Sequence, residues 1–422
     1  MMHKLIIFTQ DFPYARSETF LESELPYLEK AFDNILIIST SLHKGYQQTR
    51  KIGSNTRTYP MLRPNGRAKQ IWGIANGIRY FSKDEKIELG KYKSIKKKIA
   101  VLYYTGRYEA VKRKCRKEIE TFVGEDRNQT VIFYSYWFVE TAQVAVDFAN
   151  ALRRKEINCA VCTRAHRFDI YEIRNPMGLF PYREKVLDGI DYVFPCSANG
   201  EEYLGQRYPK YKSKISKRYL GTLDHGLNLE NTEGEFTIVT CSNLVPVKRL
   251  TVLAEALRFI DGTGKEIRLK WVCIGDGPER ESLQLNTTSL KKTNVVFTGS
   301  MKNNDVLSWY QNNHVDLMIN TSSSEGLPVS IMETSSFGIP VLATDVGGTS
   351  EIVIEGKNGK LLPEDVTAEQ LGNEIISFYE MGNDDRITYR EYARKIWEES
   401  FCADNNYRVF AEELKNMADQ RK

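Results

Sequence analysis

The chain has 422 residues, with 59 Lys and Arg against 55 Asp and Glu and a formal net charge of +4. Apolar content of 41% and charged content of 27% are ordinary for a globular protein, and the length allows two domains with large cores. No run of about 18 apolar residues exists, so no spanning helix is expected. The N-terminal MMHKLIIFTQDF turns polar too soon for a signal peptide. The seven cysteines are scattered and odd in number, which points to buried thiols in a reducing cytoplasm rather than a disulfide framework.

Residues 5–9 read as a buried strand, 10–18 as the loop after it, 19–32 as a helix and 35–39 as a second strand. That order opens a parallel, doubly wound domain, and the first loop lies where such sheets bind ligands. Residues 67–117 differ, with 16 Lys and Arg against 4 Asp and Glu. This local excess of +12 in a chain of +4 leaves −8 for the rest. Trp72, Tyr80, Phe81, Tyr103 and Tyr104 are interleaved with the charges. The plain reading is solvated helix faces over a core. The sharper one is a basic face for an anionic membrane or a lipid-linked acceptor. No nucleic-acid-binding motif accompanies it.

Residues 131–134 read as a strand leading into a helix of apolar spacing, and 159–163 as another strand, followed by RAHRFDIYE. Cys159 and Cys162 match C-x-x-C but lack a second pair, so zinc is not expected. Strand 192–196 and a helix follow, then a polar linker rich in Gly and Asn within 220–240. A second domain begins at Phe236, with strand 237–242, a loop carrying Lys248 and Arg249, and helix 250–260. Strand 269–274 ends in Gly275-Asp276-Gly277, but Arg280 stands where a dinucleotide site wants a third glycine, so NAD binding is a poor reading. Strand 295–299 and helix 306–312 complete this stretch.

The most informative segment is DLMINTSSSEGLPVSIMETSSFGIPVLATDVGG, residues 316–348. It reads as strand 316–321, a turn, a helix from Pro328 to about Phe337 with Gly338 at C′, and strand 340–344. The predicted helix start places the N–H groups of Gly326 and Leu327 as a seat for phosphate. Glu325 lies in the loop, and Glu333 about a turn and a half inside the helix.

At these residues the chain resembles the retaining GT-B glycosyltransferases of family four, whose signature is two glutamates with seven residues between them. The whole string matches more specifically than the pair: Ser-Glu-Gly-Leu-Pro, Met-Glu, Gly-Ile-Pro-Val, Asp-Val-Gly-Gly, then Glu351. The match is good over most of 160–365, looser over 1–50 and nearly absent over 51–130. The resemblance implies an α/β GT-B fold of two Rossmann-like, doubly wound parallel-sheet domains facing a cleft. Residues 1–222 would bind acceptor, 235–395 would bind nucleotide sugar, and 396–422 would form a helix crossing back to the first domain.

The resemblance also assigns residues. Glu325, His166 and Lys248 would be catalytic: Lys248 at the leaving diphosphate, Glu325 positioning the sugar, His166 facing it. Glu333 would bind the ribose hydroxyls, a task suited to a carboxylate, with Arg249, Asn243, Gly326, Leu327, Gly275 and Met301 also on the donor side. Glu18, Thr19 and Asp169 would lie on the acceptor or sugar side. Two departures stand out. Asn243 occupies the place of the family's usual arginine, for which Arg249 or Arg16 is the available substitute, and Arg167 replaces the glycine of a His-Gly-x-Asp loop.

The expected donor is a UDP- or GDP-sugar. The expected acceptor is a glycan or lipid-linked oligosaccharide in lipopolysaccharide, capsule or exopolysaccharide synthesis. With no Asp-x-Asp motif, no metal and no cofactor are expected. The expected location is cytoplasmic, peripheral on the inner face of the plasma membrane through residues 67–117. Alternatives on the same fold are a nucleotide-sugar epimerase or hydrolase, or a non-catalytic binding protein with Asn243 marking decayed chemistry. Retention of Lys248, Glu325, Glu333 and His166 speaks against the last.

Overall fold

The computed structural model describes residues 1–15, 17–228 and 235–419. Arg16 and part of the predicted linker, 229–234, lie outside the described residues. The chain divides into two compact units, residues 1–220 with 405–422, and residues 221–404.

Unit 1 contains β1 (Met2–Thr9), β2 (Asn34–Leu42), β3 (Thr56–Leu62), β4 (Gln129–Ser135), β5 (Asn158–Ala165) and β6 (Tyr192–Pro195). All pair in parallel in the order β3-β2-β1-β4-β5-β6. Its central strands are continuous apolar runs because both faces are covered. Alternate residues divide between two cores. Ile6, Phe8, Leu36 and Phe133 pack against helices Ile95–Val123 and Glu140–Arg153. Leu5, Ile7, Ile37 and Tyr134 face helices Thr19–Ala31 and Ala403–Asn416. Cys159 belongs to the first core and Cys162 to the second, so the C-x-x-C pair points to opposite faces of β5. Five of the seven free cysteines are buried, while Cys241 and Cys402 are half-buried.

Unit 2 repeats the scheme with β7 (Phe236–Cys241), β8 (Leu269–Ile274), β9 (Thr293–Gly299), β10 (Leu317–Asn320), β11 (Val341–Thr344) and β12 (Gly359–Leu362). The strand order is β12-β11-β10-β7-β8-β9. Taken in sequence order, both sheets run 3-2-1-4-5-6, the doubly wound order whose direction reverses between the first and fourth strands. The reversal lies between β1 and β4 in unit 1, and between β7 and β10 in unit 2.

Several expectations need correction. The edge strands β3 and β12 escaped sequence reading, one holding Pro60 and the other only four residues long. The helix after β10 is Val329–Ser336, with Pro328 at the N-cap rather than at the first helical position. The predicted linker is anchored at its start: Asn228 is buried and donates to the carbonyls of Tyr310 (2.6 Å) and Asn313 (2.8 Å). Residues 396–404 stay with unit 2, and the return to unit 1 begins at Asn405. The reason is Trp397, fully buried and bonded through its indole N–H to the Thr222 hydroxyl at 2.7 Å.

The basic stretch forms helices Gly66–Arg79, Lys83–Gly90 and Ile95–Val123. The first packs on the third through glycines: a Cβ at Gly106 would stand 1.8 Å from the Gly73 carbonyl oxygen, and one at Gly77 1.9 Å from that of Leu102.

Candidate active site

In unit 2 the loops after β7 and β10 flank the reversal point and are stapled together by backbone. Ser323 N–H donates to the Val247 carbonyl at 2.9 Å, and the Thr321 hydroxyl to those of Lys248 (2.8 Å) and Arg249 (3.1 Å). This brings Lys248 Nζ to 2.5 Å from Glu325 Oε1. The same oxygen accepts from the Ser322 hydroxyl (2.6 Å) and the Asn320 amide (3.3 Å). The loop after β11 closes on this one. Gly348 N–H donates to the Gly326 carbonyl at 2.7 Å, and a Cβ at Gly347, where φ is +62°, would stand 2.1 Å from the Glu325 carbonyl oxygen. Gly326 and Leu327 precede the helix Val329–Ser336, so their N–H groups belong to this loop and not to the helix terminus.

Glu333 is buried inside that helix and accepts from the Asn303 amide at 2.6 Å. Burial pushes its carboxyl up to about 7, with the Asn303 bond opposing. Half-buried Cys241, at the end of β7, is pushed up to about 12 by burial and by Glu333, with Lys248 opposing. Its thiol therefore feels both charged groups, which ties Glu333 to the same end of the sheet as Lys248.

Other donor-side expectations fare differently. Arg249, held in the left-handed region at φ 50°, donates to the carbonyls of Glu364 and, at 3.3 Å, Val366. Its guanidinium braces the segment after β12 and does not join Lys248. Gly275 has φ +137°, its N–H is taken by the Gly299 carbonyl at 3.0 Å, and a Cβ there would meet the Ser242 carbonyl oxygen at 1.8 Å. Its demand is close backbone packing, with no N–H left for a ligand. Asn243 is exposed on the loop after β7, and Met301 half-buried after β9.

In unit 1, Glu18 ties the loop after β1 to the loop after β4. Its Oε1 accepts from Gln10 N–H (2.8 Å) and the Trp137 indole (2.6 Å), and its Oε2 from Asp11 (2.9 Å) and Phe12 (2.8 Å) N–H. Burial raises its carboxyl and these donors oppose. Thr19, the first residue of the next helix, is exposed. Glu18 therefore builds the loop, and its carboxylate is occupied by protein donors.

Asp169 is also structural. It is fully buried, and accepts Phe138 N–H at 2.7 Å and His166 N–H at 2.5 Å. Burial pushes it up to about 7, with these bonds opposing. An acceptor cannot reach that carboxylate without displacing the loop. His166 is half-buried between the rings of Tyr136 (4.9 Å) and Trp137 (4.7 Å). Its Nε2 lies 3.1 Å from the Tyr136 carbonyl, which assigns the proton to Nε2. Nδ1 then faces Cys196 Sγ at 3.5 Å, a thiol that burial pushes up to about 12 and so keeps protonated. Burial and Arg164 push the imidazole down to about 3. It is neutral at physiological pH, and both ring nitrogens have partners.

Residues 228–396 match the family model described as glycosyl transferases group 1. This segment is similar to glycosyl transferases group 1. Among relatives, the chain is 30% identical over 197 residues to the putative teichuronic acid biosynthesis glycosyltransferase TuaC of Bacillus subtilis, covering 46% of this chain and 43% of TuaC. It is 28% identical over 185 residues to the putative colanic acid biosynthesis glycosyltransferase WcaL of Escherichia coli, covering 43% and 44%. The chain thus spans under half the length of these relatives. A glycosyltransferase from Rickettsia africae superposes over 100% of both chains with a TM-score of 0.63 at 15% identity. Anabaena HepE in complex with UDP and glucose superposes over 98% of this chain and 99% of HepE with a TM-score of 0.60 at 16% identity. The fold is GT-B, an α/β arrangement of two Rossmann-like units.

The group 1 segment falls within unit 2, and the Lys248–Glu325 pair lies in it. Sequence reasoning missed the supporting residues Ser322, Asn320 and Asn303. For Ser322 and Asn320 the signal was present, since polar side chains at a strand end beside a glutamate must be paired when buried; Asn303, exposed at the start of a helix 30 residues from Glu333, carried none. It also missed the fully buried pair Arg164–Glu24, whose closest contact is 2.9 Å, with the Tyr134 hydroxyl donating to Glu24 at 2.9 Å. A strand arginine and a helix glutamate 140 residues apart carry no local signal.

Proposed function

We propose that the chain is a retaining, metal-independent glycosyltransferase. It would move a sugar from a nucleoside-diphosphate sugar, UDP or GDP, to a hydroxyl of a glycan or lipid-linked acceptor in surface-polysaccharide synthesis. The observation that carries this is the Lys248–Glu325 pair at the strand-order reversal of unit 2, with Glu333 in the helix that follows. A fixed ammonium there lowers the barrier to departure of a diphosphate, whose charge grows as the anomeric bond breaks. Glu325 holds the ammonium and lies beside the sugar; the loop amides of Gly326 and Leu327 face the phosphates. Glu333 takes the ribose hydroxyls, an interaction that favours its ionised form. The neutral His166 ring orients the sugar by contact rather than by proton transfer. The departing phosphate takes the acceptor proton, so no covalent sugar–enzyme intermediate is required. The names of TuaC and WcaL support a polysaccharide setting.

The enzyme would work in the cytoplasm, on the inner face of the membrane. Exposed Ile71, Ile78, Ile87 and Ile95 lie among the exposed lysines of the basic helices and support attachment there. The test is incubation with labelled UDP-, GDP- and ADP-sugars, with and without lipid-linked acceptors, with and without a chelator. Acceptor-dependent nucleotide release that survives chelation, with the anomeric configuration kept, is expected. Absence of transfer across the panel would overturn the reading.

A further inference from the structure

Unit 1 holds a second concentration of charge that the proposed reaction does not use. Arg63 directly follows β3, Lys69 lies in the helix Gly66–Arg79, Arg107 in Ile95–Val123, and Glu140 opens Glu140–Arg153. Arg107 Nε donates to Glu140 Oε1 at 2.5 Å, and its NH1 to the Tyr103 hydroxyl at 3.1 Å. Arg63 NH1 stands 3.8 Å from that same Oε1, too far for a hydrogen bond. The Arg63 side chain is 1% exposed. Among the described residues, none of its three guanidinium nitrogens has a hydrogen-bond partner, nor has Glu140 Oε2.

A buried guanidinium with no acceptor is costly, because burial removes its water and nothing replaces it. The strain registers electrostatically. Burial pushes Arg63 down to about 10, with Arg107 adding and Glu140 opposing. The half-buried Lys69 is lowered by burial and then by Arg107 and Arg63, so it belongs to the same cluster. Trp72 covers Arg63, its ring centre 5.8 Å from the guanidinium carbon. Arg63, Lys69 and Arg107, with Lys114 on the Trp72 ring at 5.9 Å, thus outnumber the Glu140 carboxylate.

We propose that Arg63, Lys69 and Arg107 form a phosphate-binding site in unit 1, separate from the Lys248–Glu325 pair. The guanidinium fork of Arg63 matches two phosphate oxygens, which would supply the acceptors it lacks. Lys114, which donates to the Leu62 carbonyl at 3.2 Å beside Arg63, adds a further positive charge, so the surplus suits an anion of more than one charge, as a phosphate carries. Arg63 emerges at the carboxyl end of β3 and Glu140 lies beyond that of β4, on the edge where doubly wound sheets receive ligands. Lys69 and Arg107 are both half-buried and so mark the side from which a ligand would enter. A soluble phosphoester and a lipid headgroup present the same phosphate chemistry to the site.

The full chain is titrated with inorganic phosphate at constant ionic strength, and separately with phosphatidic acid vesicles against phosphatidylcholine vesicles. Wild type, Lys69→Ala, Lys69→Arg, Arg63→Met and Lys248→Ala are compared, with circular dichroism as the folding check. The expected result is binding to the wild type that weakens about tenfold in Lys69→Ala, the loss of one charge-assisted contact. Lys69→Arg should retain it, and Lys248→Ala should leave it unchanged. Arg63→Met, if folded, should abolish it. Binding of inorganic phosphate identifies a soluble source; binding of phosphatidic acid alone, with the same Lys69 dependence, identifies a lipid source. Wild type that binds neither, or Lys69→Ala that binds as wild type does, overturns the proposal. It does not depend on glycosyl transfer: failure of the sugar panel would leave it standing, and its own failure would leave the Lys248–Glu325 site untouched.

Discussion

Lys248 Nζ and Glu325 Oε1 lie 2.5 Å apart, joining the loops after β7 and β10 at the point where the strand order of unit 2 reverses. The pair is half-buried, and Ser322 and Asn320 donate to the same carboxylate oxygen. A lysine held in this way is fixed in one place, and stabilising a developing diphosphate charge requires such a fixed group.

Lys248→Ala should therefore lower kcat/KM for the sugar nucleotide about ten- to a hundredfold, the equivalent of a charge-assisted contact worth roughly 1.5–3 kcal/mol. Glu325→Gln keeps the shape but releases the lysine, and should lower kcat more than it raises KM. Steady-state kinetics with saturating acceptor checks both. A Lys248→Ala rate equal to wild type would remove the site assignment.

With Glu333 in the proposed ribose role, donor binding should depend on pH. Its folded value of about 7 lies above the ordinary carboxyl value of 4.5, so between them the folded state binds the extra proton. Stability from this group is present below about pH 4.5 and is lost as pH rises through 7, by up to about 3 kcal/mol. Nucleotide binding should show the opposite trend, strengthening as Glu333 ionises. Glu333→Gln should flatten both profiles, as urea unfolding and nucleoside-diphosphate titration from pH 5 to 8.5 would show. An unchanged affinity in Glu333→Ala would remove the ribose role.

Glu18 serves four donors with one carboxylate. Glu18→Ala should leave buried amides unpaired at about 1–3 kcal/mol each, partly offset by water. The expected outcome is a destabilisation of several kcal/mol by urea unfolding, together with faster amide exchange at Gln10, Asp11 and Phe12. Unchanged exchange there would contradict the role.

Arg249 combines a left-handed backbone with a bracing side chain. Arg249→Ala loses the brace and keeps the strain; Arg249→Gly loses the brace and relieves the strain. The glycine variant should be more stable than the alanine variant by about 1 kcal/mol. Both should keep near-normal KM for the donor, because the guanidinium points to the segment after β12. A tenfold rise in KM in both would restore Arg249 to the phosphate side.

The basic helices should bind anionic vesicles. Each basic residue near an anionic leaflet contributes on the order of 1 kcal/mol within a Debye length of about 8 Å. The apolar contacts come from the isoleucines and Phe81: Ile95 is 76% and Phe81 45% exposed, whereas Tyr103 is buried. Co-sedimentation should need anionic lipid, fall with salt, and weaken in an Ile87→Ser, Ile95→Ser double variant. No binding even at low salt would leave these helices as a solvated face.

Much of unit 2 was written locally. The apolar runs at 269–274 and 317–320 are strands because a parallel sheet covered on both faces needs no polar alternation. Gly338, at φ +71°, ends the helix where a left-handed residue is needed. Glu325 and Glu333 could be named from the segment 316–348 and Lys248 from the loop after strand 237–242, through the resemblance they carry. What the string could not show was their partners, since Lys248 and Glu325 are 77 residues apart and meet only because β7 and β10 are neighbours at the reversal. The same limit explains Asp169 and Arg249, which look like ligand groups by position. Tertiary structure gives Asp169 two backbone amides and Arg249 two carbonyls, because burial obliges polar groups to pair with whatever the fold brings nearest. It also decided Arg63, an unremarkable arginine after an unrecognised edge strand, which packing left buried beside other cations and, among the described residues, without an acceptor.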